Sequence, residues 1–548
     1  MFKKRKFSIV LIILISIIPL LDLFHAGLPI THDGQDHVAR IANFYQNLKE
    51  GVLIPRWAGN LNWGYGHPIL MFLYPLPSYT ASFFHVIGFS LVDSIKLVFG
   101  ISFILSGISM YLWAKDQFGE AEGLLASLLY MFAPYRFIDL YVRGAIGEHF
   151  AFVFSPLVLY FLLRLSKNNS YFNFLGGSLS LAGLILSHNA ISLMFLPIII
   201  FYSFYLYISS KNKKLVIEIP SVFILGFSFS AFFWFPGFLE GKYTLRNIVT
   251  KGGYIYHFID LKSLLYGKWS FGGSGSFSIQ LGLANMVLSA ISLVSIFHFL
   301  KKRKPLFLFL IFLIVYSLFS VFIMVYESNF LWKKFLILQN FQFPWRFLSI
   351  LVFTTSVLGA VSIVFLNRKL KYFILFFLIF LILFLNRNYW HAKGYLVREE
   401  TFFTKVYNGT TDTGESAPVW SVRFMEKAPN KSLEVIEGKA YPKELKRTSV
   451  EHLYEIKADS KARIRENTLY FPGWKVYVDG KEAPIEFQDP KNRGLITFFI
   501  EPGIHNVKLK FGETKVRGLA NTISLFSLIF IAILFLVNKK INVFKAKN

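Results

Sequence analysis

Two aspartates and two histidines fall within six positions near the start of the chain, in the stretch Thr31-His32-Asp33-Gly34-Gln35-Asp36-His37. The stretch follows an apolar run at 7–24 that is long enough to cross a membrane. Spanning a membrane does not require such groups, and ionisable residues beside a span often mark a site. A carboxylate here can act as a general base, with a histidine one helical turn away. The spacing therefore predicts Asp33 and His37 as catalytic residues and Asp36 as a substrate contact.

The same two aspartates also suit a purely structural role. Either can cap a helix over residues 35–48 by accepting hydrogen bonds from its free amide groups. A cap needs one aspartate only, and it accounts for neither histidine. A reactive site is therefore favoured, while the helix-cap interpretation stays open.

The composition is that of a polytopic membrane protein. Of the 548 residues, 54% are hydrophobic and 18% aromatic, and the mean hydropathy is +0.49. Much of the net charge of +26 is concentrated in short basic blocks between apolar runs, which is the positive-inside pattern and argues against a nucleic-acid partner. The lack of cysteine excludes disulfides, thiolate metal sites and catalytic thiols.

The apolar runs predict about twelve membrane spans. They lie near residues 7–24, 92–113, 121–135, 150–166, 171–187, 190–208, 215–236, 280–299, 305–326, 347–366, 371–388 and 518–537. The first run has a basic start and no small-residue cleavage site, so we expect a retained signal anchor. The stretch 69–91 is broken by prolines and is predicted as a partial, interfacial helix, although a full span is not excluded. This topology places both termini in the cytoplasm.

The chain changes character after residue 389. Residues 390–517 are polar and charged, with alternating stretches at 475–478 and 495–500 and a hairpin signal at Asp479-Gly480. We therefore expect a transmembrane domain over 1–389, an extracytoplasmic β-sandwich-like domain over 390–517, and a terminal span with a basic tail over 518–548. The predicted fold class is mainly α, a polytopic helical membrane protein with a small β-rich domain.

A second polar group lies between two apolar runs and faces the same side in this topology. Arg143, Glu148 and His149 either form a second acidic site, with Glu148 catalytic and the other two binding substrate, or face water as an interfacial loop. Together with Asp33, Glu148 and His149 could hold a divalent cation, Mg²⁺ or Mn²⁺. The sequence does not establish that a metal is present.

Further substrate contacts are predicted along the same face. Arg346 follows Pro344-Trp345 at a helix start, where it could pair with a phosphate or with lipid headgroups. His188 lies at a helix break, which favours a hydrogen bond to the helix end over a substrate contact. The loop 237–279 is long enough to be a lid or binding loop. The candidate contacts in this set are His188, Lys242, Arg246, His257, Trp345 and Arg346. The glycines at 272–275 follow no strand, so they are not a nucleotide-binding fingerprint.

Several of these segments together resemble the YfhO-like membrane proteins. The shared segments are His32-Asp33 with His37, Pro55 to Trp57, Gly64 to Pro68, Tyr74 to Pro77, Tyr141 to Glu148, Ser187 to Asn189, Phe343 to Phe347, Tyr470 to Lys475 and Val478 to Lys481. Some members carry the label 6-pyruvoyl-tetrahydropterin synthase-related. That label implies a soluble pterin enzyme, and the apolar composition argues against it.

The YfhO-like group in turn resembles the GT-C glycosyltransferases, which include protein O-mannosyltransferases and the oligosaccharyltransferase catalytic subunit. In that superfamily an acidic residue of the first external loop acts on the acceptor, and a second external loop supplies another acidic site. The resemblance places Asp33 at the first position and Arg143 to His149 at the second. No Trp-Trp-Asp signature is present, which argues against asparagine-linked transfer.

The resemblance implies an inverting transfer of a sugar from a polyprenyl-phosphate donor to a glycan, lipid or cell-wall acceptor. The reaction would take place outside the cytoplasm, at the surface of the plasma or inner membrane in which the protein is embedded. Two other functions are open: a lipid-linked sugar flippase or polymer exporter, and a non-catalytic assembly protein that works through residues 390–517. Ionisable residues at helix ends, rather than along a path in mid-helix, favour the transferase.

Overall fold

The computed structural model describes residues 2–272 and 277–547. The glycine-rich positions Gly273 to Gly275, which the sequence set apart from a nucleotide-binding loop, lie outside the described residues. In the first half the helices are α1 (Phe2–Ile17), α2 (Gly34–Lys49), α3 (Ile69–Phe72), α4 (Leu76–Val86), α5 (Leu91–Phe118), α6 (Glu120–Met131), α7 (Pro134–Phe137), α8 (Ile146–Lys167), α9 (Tyr171–Ser187), α10 (Asn189–Ser209), α11 (Leu215–Phe229) and α12 (Ala231–Glu240).

The second half continues the helical domain and adds the strands. Its helices are α13 (Arg246–Val249), α14 (Leu261–Leu265), α15 (Leu283–Lys302), α16 (Lys304–Met324), α17 (Asn329–Lys334), α18 (Leu336–Gln339), α19 (Leu348–Val361), α20 (Arg368–Asn386), α21 (Thr401–Thr404) and α22 (Lys515–Lys547). The strands are β1 (Leu28–Pro29), β2 (Tyr395–Leu396), β3 (Leu433–Glu437), β4 (Ala440–Arg447), β5 (Glu451–Ala458), β6 (Ala462–Leu469), β7 (Trp474–Val478), β8 (Lys481–Ala483), β9 (Leu495–Ile500) and β10 (Gly503–Phe511).

Eight helices in the described part of the chain are long and apolar enough to cross a membrane, or nine if the bent pair α11 and α12 counts as one span. The polytopic helical fold predicted from the apolar runs is therefore confirmed. Helix α9 and residues 283–297 are apolar but shorter, so the number of about twelve spans stays a prediction.

The stretch 69–91 does not form a spanning helix. It contains α3, of four residues, and α4, of eleven residues. Eleven residues of α-helix extend about 16 Å, roughly half of the ~30 Å apolar thickness of a bilayer. The sequence predicts that Tyr74-Pro75-Leu76-Pro77 breaks this stretch, and the structure agrees, because Leu73, Tyr74 and Pro75 separate the two short helices.

The C-terminal strands form the predicted β-sandwich. Strands β4, β5, β10, β7 and β8 form one sheet in this order, and β3, β6 and β9 form a second. His452, Tyr454 and Ile456 of β5 point into the core at alternating positions. Asp479 and Gly480 both have positive φ, +51° and +80°, which is the hairpin turn expected between β7 and β8.

The β-sandwich rests on the segment that follows α2. The Trp57 ring meets the Trp474 ring edge-on, with centroids 5.6 Å apart. Two ion pairs join the start of α22 to the helical domain: Arg56 to Glu513 at 3.1 Å, and the buried Arg517 to Glu240 at 2.8 Å. The same face of the helical domain therefore carries both α2 and the β-sandwich.

A buried carboxylate links the two sheets of the sandwich. Glu466 accepts hydrogen bonds from Arg447 and from the Tyr454 hydroxyl, both at 2.7 Å, and His452 Nδ1 lies 2.9 Å from it. Burial alone would raise the pKa of Glu466, but the hydrogen bond and charge of His452, with Arg447, hold it at about 2.

We predict that Glu466→Gln lowers the free energy of unfolding by about 3 kcal/mol, the scale for breaking one partner of a buried ion pair. The folded pKa of about 2 lies below the ordinary 4.5, so this stabilisation is complete above pH 4.5 and is lost as pH falls through 2. Thermal melting of the full chain in detergent at several pH values measures it. The matched control is Glu482→Gln, which removes the exposed pair with Lys475. A pH-independent difference between Glu466→Gln and the unmutated chain would contradict the assignment.

The basic blocks predict which face of the membrane domain is cytoplasmic. Single cysteines at the exposed positions Lys251 and Lys481 should react with a membrane-impermeant maleimide in intact cells, because the topology predicted from the basic blocks places their segments at the outer face. Cysteines at the exposed positions Asn169 and Lys213 should react only after the membrane is opened. The reverse pattern would invert the predicted topology.

Candidate active site

The start of α2 is tied to the loop before α8 by its backbone. The amide of His32 donates to the carbonyl oxygen of Val142, and the amide of Asp33 donates to that of Arg143, both at 2.9 Å. Residues Ile138–Arg143 form a π-helical turn that Gly144 ends with φ +70°, and a β-carbon on Gly144 would collide with Thr31. The two motifs that the sequence placed in separate external loops are therefore in direct contact.

Asp33 occupies the N-cap position of α2, but its side chain makes no capping hydrogen bond. The residue is exposed. The structure therefore places Asp33 where the helix-cap interpretation expects it, without the bond by which a cap stabilises a helix. Its carboxylate remains free to meet another molecule at the positive end of the helix dipole.

Asp36 and His37 are held by other parts of the chain. Asp36 accepts a hydrogen bond from the Tyr407 hydroxyl at 2.9 Å, and the buried His37 ring accepts one from Arg40 at Nδ1, also at 2.9 Å. Burial raises the pKa of Asp36, against the opposing effects of Tyr407 and Arg40. Burial and then the charge of Arg40 lower the pKa of His37, so this ring is neutral.

A segment far along the chain covers this part of α2. We call residues 407–416 the strap. Arg40 donates to both the carbonyl oxygen and the hydroxyl of Thr411, which has a positive φ of +64°. Asp412 lies 3.4 Å from His67, and it accepts backbone hydrogen bonds from Gly414 and Ser416. The sequence analysis missed the strap, although its run of glycine and threonine between polar residues is a loop signal.

Arg143 is the centre of a buried polar cluster. Its Nη1 donates to Asp139 at 2.6 Å, to Glu148 at 2.8 Å and to the Tyr135 hydroxyl at 3.1 Å. The Trp345 ring covers the guanidinium at 4.6 Å. All three bonds use one nitrogen, and neither Nη2 nor Nε is among the buried atoms without a partner. One edge of Arg143 thus remains accessible.

Glu148 is fully enclosed by protein. Besides Arg143 it accepts hydrogen bonds from the Tyr135 hydroxyl, at 2.7 Å, and from the Ser349 hydroxyl, and Arg346 Nε lies 3.8 Å away. Its exposed fraction is 0%. The alternative in which these charges face water as an interfacial loop is therefore wrong, and the catalytic role predicted for Glu148 stays a prediction.

His149 does not share the environment of Glu148. Its ring stacks on Phe103 with centroids 5.9 Å apart and meets Phe99 edge-on. Within the described ranges, no group of three or more His, Asp and Glu side chains could hold a metal ion. The residues present therefore do not fit the divalent-cation site that Asp33, Glu148 and His149 suggested, since one faces solvent, one binds Arg143 and one is packed between aromatic rings.

His188 caps α10, as the sequence favoured. Its Nδ1 accepts a hydrogen bond from the amide of Ile191 at 3.3 Å. Its other neighbour is Tyr74, whose ring stacks on the imidazole with centroids 5.0 Å apart. Tyr74 also fills the space that Gly147 leaves open on α8. Tyr74 belongs to the Tyr74 to Pro77 motif, but its residue type and spacing alone do not predict a site residue.

A series of aromatic contacts extends from the long loop to His32, the residue before Asp33. His257 meets Phe343 edge-on at 4.7 Å, Phe343 stacks on Trp345 at 4.8 Å, Trp345 meets Phe277 at 5.1 Å, and Phe277 meets His32 at 5.9 Å. His32 Nε2 also lies 2.9 Å from the carbonyl oxygen of Phe271. Phe271 and Phe277 of the loop thus contact His32, the residue before Asp33, and burial lowers the pKa of His257.

Lys242 and Arg246 lie at a different part of the loop. Lys242 sits over the Tyr243 ring at 5.1 Å, and Arg246 over the Phe72 ring at 5.6 Å. The neighbouring Leu245 amide donates to the carbonyl oxygen of Ala417 at 2.9 Å. These contacts place both cations beside the residues that follow the strap, and no described contact joins either of them to Asp33.

Residues 67–235 match the family model described as dolichyl-phosphate-mannose-protein mannosyltransferase. An uncharacterised protein of Lactococcus lactis subsp. cremoris is 29% identical over 259 residues, which are 45% of this chain and 42% of that protein. The mycobacterial arabinofuranosyltransferase AftD aligns with 13% identity and a TM-score of 0.46, over 70% of this chain and 26% of AftD. The Archaeoglobus fulgidus oligosaccharyltransferase aligns with 13% identity and a TM-score of 0.44, over 76% of this chain and 61% of that enzyme.

The chain therefore spans less than half the length of the first two relatives. The family match includes the end of the first predicted external loop, α8 and the His188 helix break. It agrees with the resemblance to GT-C-type membrane glycosyltransferases that the sequence motifs indicated.

We predict that Gly147→Ala destabilises the protein, because a β-carbon at this position would overlap the Tyr74 ring. Alanine favours a helix more than glycine does, so the decrease in the free energy of unfolding, about 1–3 kcal/mol, comes from this overlap. Thermal melting in detergent measures it. Gly253→Ala is the matched control, since nothing lies within 4 Å of a β-carbon there. Equal melting temperatures for both variants would contradict the close contact.

Proposed function

We propose that this protein transfers a sugar from a polyprenyl-phosphate donor to an acceptor hydroxyl on the non-cytoplasmic side of the membrane, with inversion at the anomeric carbon. The observation that carries the proposal is the position of Asp33. Its side chain is exposed and makes no capping hydrogen bond, and its backbone amide is bonded to the segment that bears Arg143. The family match supplies the reaction class. The acceptor is a glycan, a lipid or a cell-wall polymer.

Asp33 acts as the general base in this reaction. The acceptor hydroxyl gives its proton to the Asp33 carboxylate while its oxygen forms a bond to the anomeric carbon of the sugar. The bond between that carbon and the phosphate oxygen breaks, and its electron pair leaves with the polyprenyl phosphate. A single displacement from the face opposite the leaving group inverts the configuration.

The two arginines are proposed to hold the phosphate. The accessible edge of Arg143 offers donors in the fork arrangement that suits phosphate oxygens. Arg346 uses Nη1 for the carbonyl oxygen of Phe341, at 2.8 Å, and its Nη2 has no partner among the described residues and is not enclosed. Glu148 then has a positioning role, because it fixes Arg143 and does not itself meet the substrate.

The remaining sequence candidates divide by their contacts. Asp36 and His37 position the start of α2 through Tyr407 and Arg40. Trp345 and His257 belong to the loop side, where flat rings suit the apolar faces of a sugar. No step of the proposed reaction uses a metal ion, because the donor set at this site does not fit one.

Asp33→Asn tests the base. We expect the turnover of a purified-protein assay with radiolabelled polyprenyl-phosphate sugars to fall by roughly two to four orders of magnitude, the usual scale for losing a general base. The asparagine keeps the size of the side chain but not its basicity, so donor binding should change little. Asp36→Asn should cause a smaller loss, since Asp36 contacts Tyr407 and is partly buried.

Glu327→Gln is the matched control, because Glu327 is another exposed acid with no contact to the site. It should transfer sugar at the unmutated rate. If Asp33→Asn, folded and present at normal levels, also transfers sugar at that rate, Asp33 is not the base. Asp33 would then only stabilise the start of α2 through its negative charge.

A further inference from the structure

Tyr74 lies between Gly147 of α8 and His188, which caps α10. Its ring fills the gap at Gly147 and stacks on His188, and it touches both apolar clusters of the helical domain. Gly147 on one side and His188 on the other restrict the position of the ring. The orientation of the Tyr74 hydroxyl is therefore set by packing.

Tyr74 lies beside the buried cluster. Its ring contacts Gly147, and the next residue, Glu148, binds Arg143 at 2.8 Å and lies 3.8 Å from Arg346. A sugar phosphate held by the two arginines would therefore lie close to this side chain.

The hydroxyl of Tyr74 has no hydrogen-bond partner within the described chain, yet it is not among the buried polar atoms that lack one. It therefore reaches a space that another molecule can enter. Burial raises the pKa of Tyr74, so the hydroxyl keeps its proton and can donate. Tyr79, five residues further along the chain, already has a hydrogen-bond partner, because its hydroxyl donates to the carbonyl oxygen of Leu53 at 2.7 Å.

We propose, as an extension that rests on the proposed function, that the Tyr74 hydroxyl donates a hydrogen bond to the phosphate of the lipid-linked donor. This phosphate receives the electron pair when the bond to the anomeric carbon breaks. A donor already aimed at it stabilises the charge as it develops, with no reorganisation of water. Tyr74 then recognises the headgroup and not the prenyl chain.

The experiment measures binding to the full-length protein in detergent, with two probes of equal chain length: a long-chain polyprenyl phosphate and the corresponding polyprenol. Tyr74→Phe keeps the ring against Gly147 and His188 and removes only the hydroxyl. We expect its Kd for the phosphate to rise about tenfold to a hundredfold, the scale of a hydrogen bond to a charged group, and its Kd for the polyprenol to stay unchanged. Tyr79→Phe is the matched control and should leave both constants unchanged.

Three results would overturn the proposal, and they differ in what else they overturn. If Tyr74→Phe binds the phosphate as the unmutated protein does, the hydroxyl is not a donor contact, and the proposed transferase is unaffected. If Tyr74→Phe weakens both lipids equally, the ring acts through packing alone. If the unmutated protein binds the phosphate no better than the polyprenol, the donor class of the proposed function is wrong as well.

Discussion

The two backbone hydrogen bonds between residues 32–33 and 142–143 are the constraint on which the site depends. They join the start of α2 to the turn before α8, and they do so through main-chain atoms, which leaves the side chains of Asp33 and Arg143 free for other contacts. Gly144 makes the approach possible because it has no β-carbon to collide with Thr31, and its positive φ also favours glycine. The proposed base and the proposed phosphate-binding cation, on two separate elements, are thereby held close to each other.

The buried cluster pairs its arginines with acidic side chains. Arg143 and Arg346 enter a low-dielectric interior, where Glu148 lies close to both and Asp139 accepts a hydrogen bond from Arg143. Unpaired charges there would be expensive, so the pairing is what allows the arginines to be buried at all. The contacts of Arg143 with its neighbours fix its side chain before any ligand binds. A bound phosphate would therefore find hydrogen-bond donors already in place.

The elements predicted correctly are those with local signals. The apolar runs gave the helices, and Asp479-Gly480 gave the hairpin, because each signal lies within the element it specifies. The strap could not be assigned to the site in the same way, since Tyr407 and Asp36 are 371 positions apart. His149 shows that nearness in sequence does not give a shared environment: it follows Glu148, but adjacent helical residues point in different directions, and its ring faces Phe103. Tyr74 was overlooked because its importance comes from the missing side chain of Gly147, which is a contact in space.

The central claim is that Asp33 takes the acceptor proton in a single displacement at the anomeric carbon. The anomeric configuration of the transferred sugar, compared with that of the polyprenyl-phosphate donor by proton NMR of the isolated product, tests it most directly. A single displacement inverts the configuration. A product with the donor's own configuration would require a covalent sugar–protein intermediate or another mechanism, and it would contradict the role given to Asp33.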